Sequence, residues 1–341
     1  MKTLVLTGKN EPLVLEERPD LQVTEGEALV KIHAAALNHR DVWIQKGQYA
    51  GLKYPIVPGS DGAGVVVAIG GPVGIVGHGK ESWIGKEVII NPSLNWGNAS
   101  SHQDQKAFRI LGLPDDGTFA EYVKVPVDSL AEKPVHLSFE EAAAIPLAGV
   151  TAYRAVFTRA QLKVGAEEKV LITGIGGGVA LFALQYAVAA GAKVYVTSGS
   201  QEKIDKAIQL GAIGGVNYTQ GNWSQSLQEM ADAFDVIVDG AGGDAMDELL
   251  NLAAPGGRLA FYGATRGNPS GLVARRIFWK QLTILGSTMG DPEDFRSMIQ
   301  FINQHTLRPV VDKVFPFADG EAALRWMDDA RQFGKIVLKI R

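Results

Sequence analysis

The sequence predicts an α/β fold in two parts, a doubly wound parallel sheet inserted in a second, β-rich unit. Three observations predict it. At 341 residues the chain is too long for one ordinary core and too short for three. Over residues 169–286, short apolar strands alternate with amphipathic helices, which is how a parallel sheet covered on both faces reads. Residues 1–130 instead hold apolar and β-branched runs broken by glycine and proline, which indicates a barrel-like β unit.

Taken in order, the strands expected first are "TLVLTG", "LVLEERP", "EALVKIHAAAL", "GAGVVVAIG", "KEVIINP" and "FAEYVKVP". Between residues 91 and 116 the pattern lapses into polar residues, so a long surface lobe is expected there. After Leu137 the period changes. Ser138 followed by Glu141 has capping-box spacing and should start a helix. The alternating region then runs "KVLITG", a helix from Gly178, "KVYVTSG", a helix from Gln201, "GGVNY", a helix from Trp223, "DVIVDGA", a helix from Asp244, "GRLAFYG" and "LTILGS". Asp291 as cap and Pro292 in the first turn predict one more helix, and "KIVLKI" a closing strand. No internal repeat or low-complexity tract interrupts this order.

Composition narrows the function classes. Hydrophobic residues make up 46% and charged residues 21%, as in soluble globular chains, and the net charge is −4 with no run of Lys or Arg. Neither nucleic acid nor membrane is therefore expected as a partner. The longest apolar stretch, residues 169–191, is interrupted by glycines and fits a buried strand and helix better than a membrane span. The first residues do not read as a secretion signal, and the expected location is cytoplasmic. Cysteine is absent, which removes disulfides, thiolate catalysis and sulfur-ligated metal.

The chemistry starts at a glycine-rich turn. Gly174, Gly176, Gly177 and Gly178 follow a strand and open a long helix, with Val179 and Ala180 next. Glycines there let backbone N–H groups approach a pyrophosphate, whose charge the helix N-terminus favours. A dinucleotide is the expected ligand. A chain selective for NAD places an acid at the end of the second strand, on the ribose hydroxyls. Here that strand ends "VTSGSQEK", so Ser198, Ser200 and Lys203 are expected to hold a 2′-phosphate and the cofactor to be NADPH. The alternative, a helix cap beside a solvated lysine, stays open.

The order "NHRDVWIQKGQY", "PGSDGAGVV", "GTFAEYVKVP", "AAAIPLAGVTAY", the glycine turn, "AIQLGAIGGVNY" and "GGRLAFYG" resembles the medium-chain dehydrogenase/reductase superfamily over essentially the whole chain. Within it the chain is most similar to zinc-free quinone oxidoreductases and their alcohol-dehydrogenase-like neighbours. The resemblance implies a GroES-like catalytic domain, residues 1–151 and 287–341, around a Rossmann domain, residues 152–286, with the active site in the cleft between them. It also implies a homodimer, joined near "LTILGS".

The resemblance further assigns roles. Zinc-dependent relatives hold their catalytic metal with residues where this chain has Asn38, the vicinity of Ser60, and Leu147, and Trp96 and Ala99 stand in the lobe of the structural zinc. No metal is expected at either place. His39, Asp61, His78 and His102 are candidates for a substitute cluster, but scattered loop histidines are usually solvated. Asn38 and Tyr49 are implied to line the pocket beside the nicotinamide, with Thr151 against its ring. Tyr218 and Lys203 are implied on the adenosine phosphate, and Lys335 on the pyrophosphate unless it is a strand-edge lysine. The segments 239–243, 262–267 and 286–290, with Gly240, Gly263 and Ser287, are implied to supply backbone contacts. Asp41 should brace its loop through backbone hydrogen bonds. His39 and Arg40 are left between ligand contact and local pairing.

Without a metal to polarise an oxygen, conjugated acceptors are the easier substrates, because they spread developing charge themselves. The expected activity is hydride transfer from NADPH to a quinone or α,β-unsaturated carbonyl, with Asn38 or Tyr49 as donor. A zinc-free alcohol or aldehyde dehydrogenase and a non-enzymatic, crystallin-like NADPH-binding protein are the rivals.

Overall fold

The computed structural model describes residues 1–71 and 83–341. The chain divides into two compact units, Met1–Leu147 with Asp291–Arg341, and Ala148–Gly290. The division falls four residues before the expected 151/152 step and four after the expected 286/287 step.

In the first unit, β1 (Lys2–Leu6) and β2 (Leu13–Glu17) form an antiparallel pair. β3 (Glu27–Ala36) alternates buried and half-buried residues along most of its length, the period-2 pattern of a strand with one face in the core. It is followed by helix α1 (His39–Gln45), then β4 (Asp61–Ile69), β5 (Glu87–Ile90), β6 (Ser93–Leu94), β7 (Arg109–Ile110), β8 (Tyr122–Pro126) and β9 (Leu130–Glu132). Helix α2 (Phe139–Ala143) starts as expected. Ser138 Oγ accepts from Glu141 N at 3.2 Å, and Glu141 Oε2 accepts from Ser138 N at 2.9 Å.

The polar lobe is more structured than its composition implied. β6 pairs with β7, and Trp96 is buried, its indole N–H donating to Ala99 O at 2.9 Å and its ring set edge-on to Phe108. One aromatic residue thus supplies a local core within a polar stretch.

The second unit holds α3 from Ala148 onward (full span Pro146–Tyr153), β10 (Lys169–Ile172), α4 (Gly178–Ala189), β11 (Lys193–Ser198), α5 (Gln201–Gln209), β12 (Gly214–Asn217), α6 (Trp223–Ala231), β13 (Phe234–Asp239), α7 (Ala245–Leu252), β14 (Ala253–Phe261), α8 (Ala274–Trp279) and β15 (Thr283–Gly286). Its strands run β12-β11-β10-β13-β14-β15, all parallel. This is the Rossmann order, with the first strand of the unit at the centre. Val170, Leu171, Ile172, Val236, Ile237 and Val238 on the two central strands are fully buried, each contributing about 1.5–3 kcal/mol of apolar burial.

The chain then returns to the first unit through α9 (Pro292–Gln304), β16 (Val311–Pro316), α10 (Gly320–Asp328) and β17 (Lys335–Lys339). Asp291 caps α9 with Pro292 in its first turn, as the sequence predicts. The sheet order is β16-β17-β3-β4-β5-β9, with β8 also paired to β3. Val337 sits opposite Ala36 and Ala36 opposite Asp61. Both ends of the chain therefore build one GroES-like sheet. Among the described residues no helix is long and apolar enough to cross a membrane.

Candidate functional site

In the second unit the residues singled out by sequence fall one after another at the C-terminal ends of the parallel strands. Gly174 follows β10, Ser198 ends β11, Tyr218 follows β12, Gly240 follows β13, Gly263 follows β14 and Ser287 follows β15. In open α/β sheets that edge, beside the strand where the order reverses, is where ligands bind.

The turn after β10 has the backbone that only glycine adopts easily, with φ +64° at Gly174 and +120° at Gly176. Gly177 is extended and caps α4, so Gly178 and Val179 form the first turn of a 12-residue helix. A Cβ placed on Gly174 or Gly177 would meet nothing within 4 Å. The turn thus leaves space beside backbone at the positive end of a helix. At Gly176 the space is taken, since a Cβ would lie 2.8 Å from Lys203 Cδ.

Beyond β13 the arrangement departs from expectation. The buried carboxylate of Asp239 accepts from Thr173 Oγ1 at 2.5 Å, Gly242 N at 2.9 Å and Ala241 N at 3.2 Å. Two N–H groups expected to face a cofactor are therefore occupied, and Asp239, unremarked in the sequence, ties the ends of β10 and β13 together. Gly240 and Gly263 have packing reasons of their own. A Cβ at Gly240 would fall 2.5 Å from Tyr262 Oη, and one at Gly263 would fall 2.8 Å from Gly240 O. Ser287 differs, because its Oγ is buried and has no hydrogen-bond partner. Thr151 is buried and donates through Oγ1 to Met289 Sδ at 3.9 Å.

At the end of β11 one expectation is corrected. Ser198 is buried, its hydroxyl donating to Ile175 O and accepting from Ser200 N, both at 3.3 Å, so it closes the strand end rather than facing a phosphate. Ser200 is the cap of α5, its Oγ accepting from Lys203 N at 3.4 Å. Tyr218 donates its backbone N–H to Ser198 O at 3.0 Å. Its hydroxyl lies so near Gly199 that a Cβ there would come within 2.9 Å of it. The Arg266 guanidinium lies over the Tyr218 ring, its Cζ 5.0 Å from the centroid.

The first unit gathers a second set of polar side chains, and here Lys335 is the main correction. Its ammonium is buried and donates to Leu37 O at 2.7 Å, Asn38 Oδ1 at 2.7 Å and Asp61 Oδ2 at 2.9 Å. Three donors meet three acceptors, so none is left for a pyrophosphate. Asp61, fully buried, also accepts from Asn38 Nδ2 at 2.9 Å and Leu147 N at 2.7 Å. Asn38 thus serves this network at both ends of its amide, and its expected role as a donor to substrate would fall to the second Nδ2 hydrogen.

Helix α1 is where sequence reading expected a loop. Its cap, Asn38, is extended, and Asp41 Oδ2 accepts from Asn38 N at 2.8 Å, so the bracing expected of Asp41 acts on a helix start. The other oxygen, Oδ1, is buried without a partner. Burial pushes the Asp41 carboxyl up to about 6, and Asp61 adds to the rise, while Arg40, the Asn38 N–H and Lys335 oppose it. Arg40 is buried as well. It donates through Nη1 to Ser60 Oγ at 2.7 Å and Leu111 O at 2.8 Å and through Nε to Tyr49 Oη at 3.4 Å, with its guanidinium 5.0 Å from the Tyr49 ring centroid. Tyr49 itself is half-buried.

His39 and His102 are exposed, and His78 lies outside the described residues. Among the described residues no three His, Asp or Glu side chains group as metal ligands.

Residues 24–135 match the family profile for the alcohol dehydrogenase GroES-like domain, and residues 178–304 that for zinc-binding dehydrogenase. A zinc-type alcohol dehydrogenase-like protein of Leptosphaeria maculans is 35% identical over 92% of this chain and 90% of its own. An acryloyl-coenzyme A reductase of Sulfurisphaera tokodaii is 27% identical over 99% and 100%, and a quinone oxidoreductase-like protein of Bos taurus 26% over 97% and 90%. A crystal structure of an NAD-dependent alcohol dehydrogenase superposes with TM-score 0.90 at 36% identity, covering 100% of both chains.

Proposed function

The chain is an oxidoreductase of the medium-chain dehydrogenase/reductase superfamily, and from that premise we propose that it reduces conjugated carbonyls or quinones with NADPH and without zinc. The observation that carries the metal-free part is the pair of buried cations. Lys335 bonds to Asn38 and Arg40 to Ser60, two of the three positions where zinc-dependent relatives keep ligands, and the third is Leu147. An amide and a hydroxyl already bonded to cations, with an aliphatic residue at the third position, do not fit a zinc ion, which takes thiolate, imidazole or carboxylate and would be repelled by both charges. The Asp61 carboxylate in the network already accepts from Lys335, Asn38 and Leu147 N.

The second unit does fit a nicotinamide dinucleotide. The open space at Gly174 and Gly177 and the unpartnered Ser287 Oγ are features a bound cofactor would use. When bound, it supplies the hydride. What the chain adds is binding and a proton. Ser200 Oγ accepts in the helix cap and keeps its own hydrogen to donate to a phosphate oxygen, with the Lys203 stem across the glycine turn beside it. Tyr49 Oη accepts from Arg40 and keeps its hydrogen to donate toward an oxygen on which negative charge develops. Conjugated acceptors need no stronger polarisation than such donors give.

The names of the acryloyl-coenzyme A reductase and quinone oxidoreductase-like relatives support that substrate class. The higher identity to an NAD-dependent alcohol dehydrogenase favours a second reading, oxidation of simple alcohols with the same scaffold. Turnover of chelator-treated enzyme with NADPH and a short enone, set against its saturated ketone, separates the two. We expect the enone to be reduced and the ketone not. Activity abolished by the chelator and restored by zinc would sink the proposal.

A further inference from the structure

Sequence reading marks Ser198, Ser200, Lys203 and Tyr218 at the adenosine end of the second unit and passes over Arg266. The structure links Arg266 to all the others. Lys203 lies across Gly176 and sits in the first turn of α5 behind its cap, Ser200. Gly199, between Ser198 and Ser200, has no side chain, and the Tyr218 hydroxyl fills the place where a Cβ would be. The other end of that contact is the Tyr218 ring, with the Arg266 guanidinium 5.0 Å from its centroid. One rim therefore runs Gly176, Lys203, Ser200, Gly199, Tyr218, Arg266. The carboxylate beside it in sequence, Glu202, pairs with Lys206 at 2.7 Å.

The loop that presents Arg266 is fixed by its backbone. Arg266 N donates to Ala241 O at 2.8 Å, Gly243 N to Gly267 O at 2.8 Å, and Gly267 N to Ala264 O at 2.9 Å. The side chain is exposed. A guanidinium carries five N–H donors, and a contact with one ring leaves most of them able to bind an anion. A phosphate monoester is the anion that gains most from such a fork on the same rim as a lysine, because it offers several charged oxygens at once.

We infer that Arg266 is a second cation of the adenosine site, and that preference for a ribose 2′-phosphate is shared between Lys203 and Arg266, with Tyr218 as the plate that positions the guanidinium. The inference rests on the dinucleotide reading above and sharpens its NADPH part. Arg266 becomes a specificity-determining residue, and the loop after β14 a part of cofactor choice.

Calorimetric titration of the whole protein with adenosine 2′,5′-bisphosphate and with AMP tests it without turnover. Arg266→Gln should weaken the bisphosphate about tenfold, the low end for a charge-assisted hydrogen bond, and leave AMP affinity and the melting midpoint unchanged. Arg266→Lys should recover part of the loss, and Lys203→Gln should cause a loss of similar size. If Arg266→Gln keeps the full wild-type preference while Lys203→Gln loses it, Arg266 has no such role and the NADPH reading stands. An equal drop for both nucleotides would mean that Arg266 only holds the loop. Wild-type protein that binds AMP as tightly as the bisphosphate would overturn the NADPH reading and this assignment together.

Discussion

The two polar clusters differ in what is left over once their hydrogen bonds are made. Around Lys335 in the first unit, the three acceptors fill the ammonium, both oxygens of Asp61 are taken, and the cluster is sealed from water. Around Lys203 in the second, the groups sit at a half-exposed rim of hydroxyls and a guanidinium held over a ring, next to a turn with open space at Gly174 and Gly177. A saturated network fixes structure, because breaking it strands buried charge. A half-exposed rim of hydroxyls and cations is placed to bind a ligand. Two lysines that look alike as letters thus have opposite duties.

The comparison breaks most sharply at Lys335. Lys335→Met leaves Asp61 buried beside only neutral donors and should cost about 3–5 kcal/mol of unfolding free energy, read by denaturant titration. Were Lys335 a phosphate ligand instead, the variant would keep its stability and lose nucleotide affinity.

Next in size is Asp41, with its folded-state pKa raised from 3.8 to about 6. Between those values the folded state holds more protons than the unfolded one. The stabilisation is therefore complete below the unfolded pKa and is lost as pH rises through 6, with a ceiling of about 3 kcal/mol. Asp41→Asn copies the protonated acid. Its stability relative to wild type should grow from pH 4 to pH 7 and then level off, and a difference flat across that range would show that the Asp41 carboxyl is not raised.

The smallest effect should separate two serines. Ser200→Ala removes both a helix cap and a rim donor, costing about 1 kcal/mol in stability and some affinity for the bisphosphate. Ser198→Ala should leave affinity for both nucleotides within about twofold, since its hydroxyl is bonded internally at about 1 kcal/mol. Equal losses of bisphosphate affinity in the two variants would place Ser198 on the rim after all.

Much of this was legible in the chain because it is local. The Ser138 and Asp291 caps, the glycines of the turn after β10, the switch from period 2 to alternating strands and helices, and the lack of cysteine all involve residues a few positions apart or no neighbour at all. Helix α1 was missed because seven residues carry too short a pattern to outweigh the polar quartet at its start.

The sequence by itself determined the alternation of strands and helices over residues 169–286, the family and the absence of thiol ligands. Which polar groups bind and which brace was decided only by tertiary structure. Lys335 is 274 residues from Asp61 and 297 from Asn38, and the three meet because β17 pairs with β3 and β3 with β4. Tyr218 and Arg266 meet because parallel strands bring their C-terminal ends to one edge. A side chain's charge is written in its residue, but whether that charge has a donor or acceptor to spare depends on neighbours that the sheet registers supply.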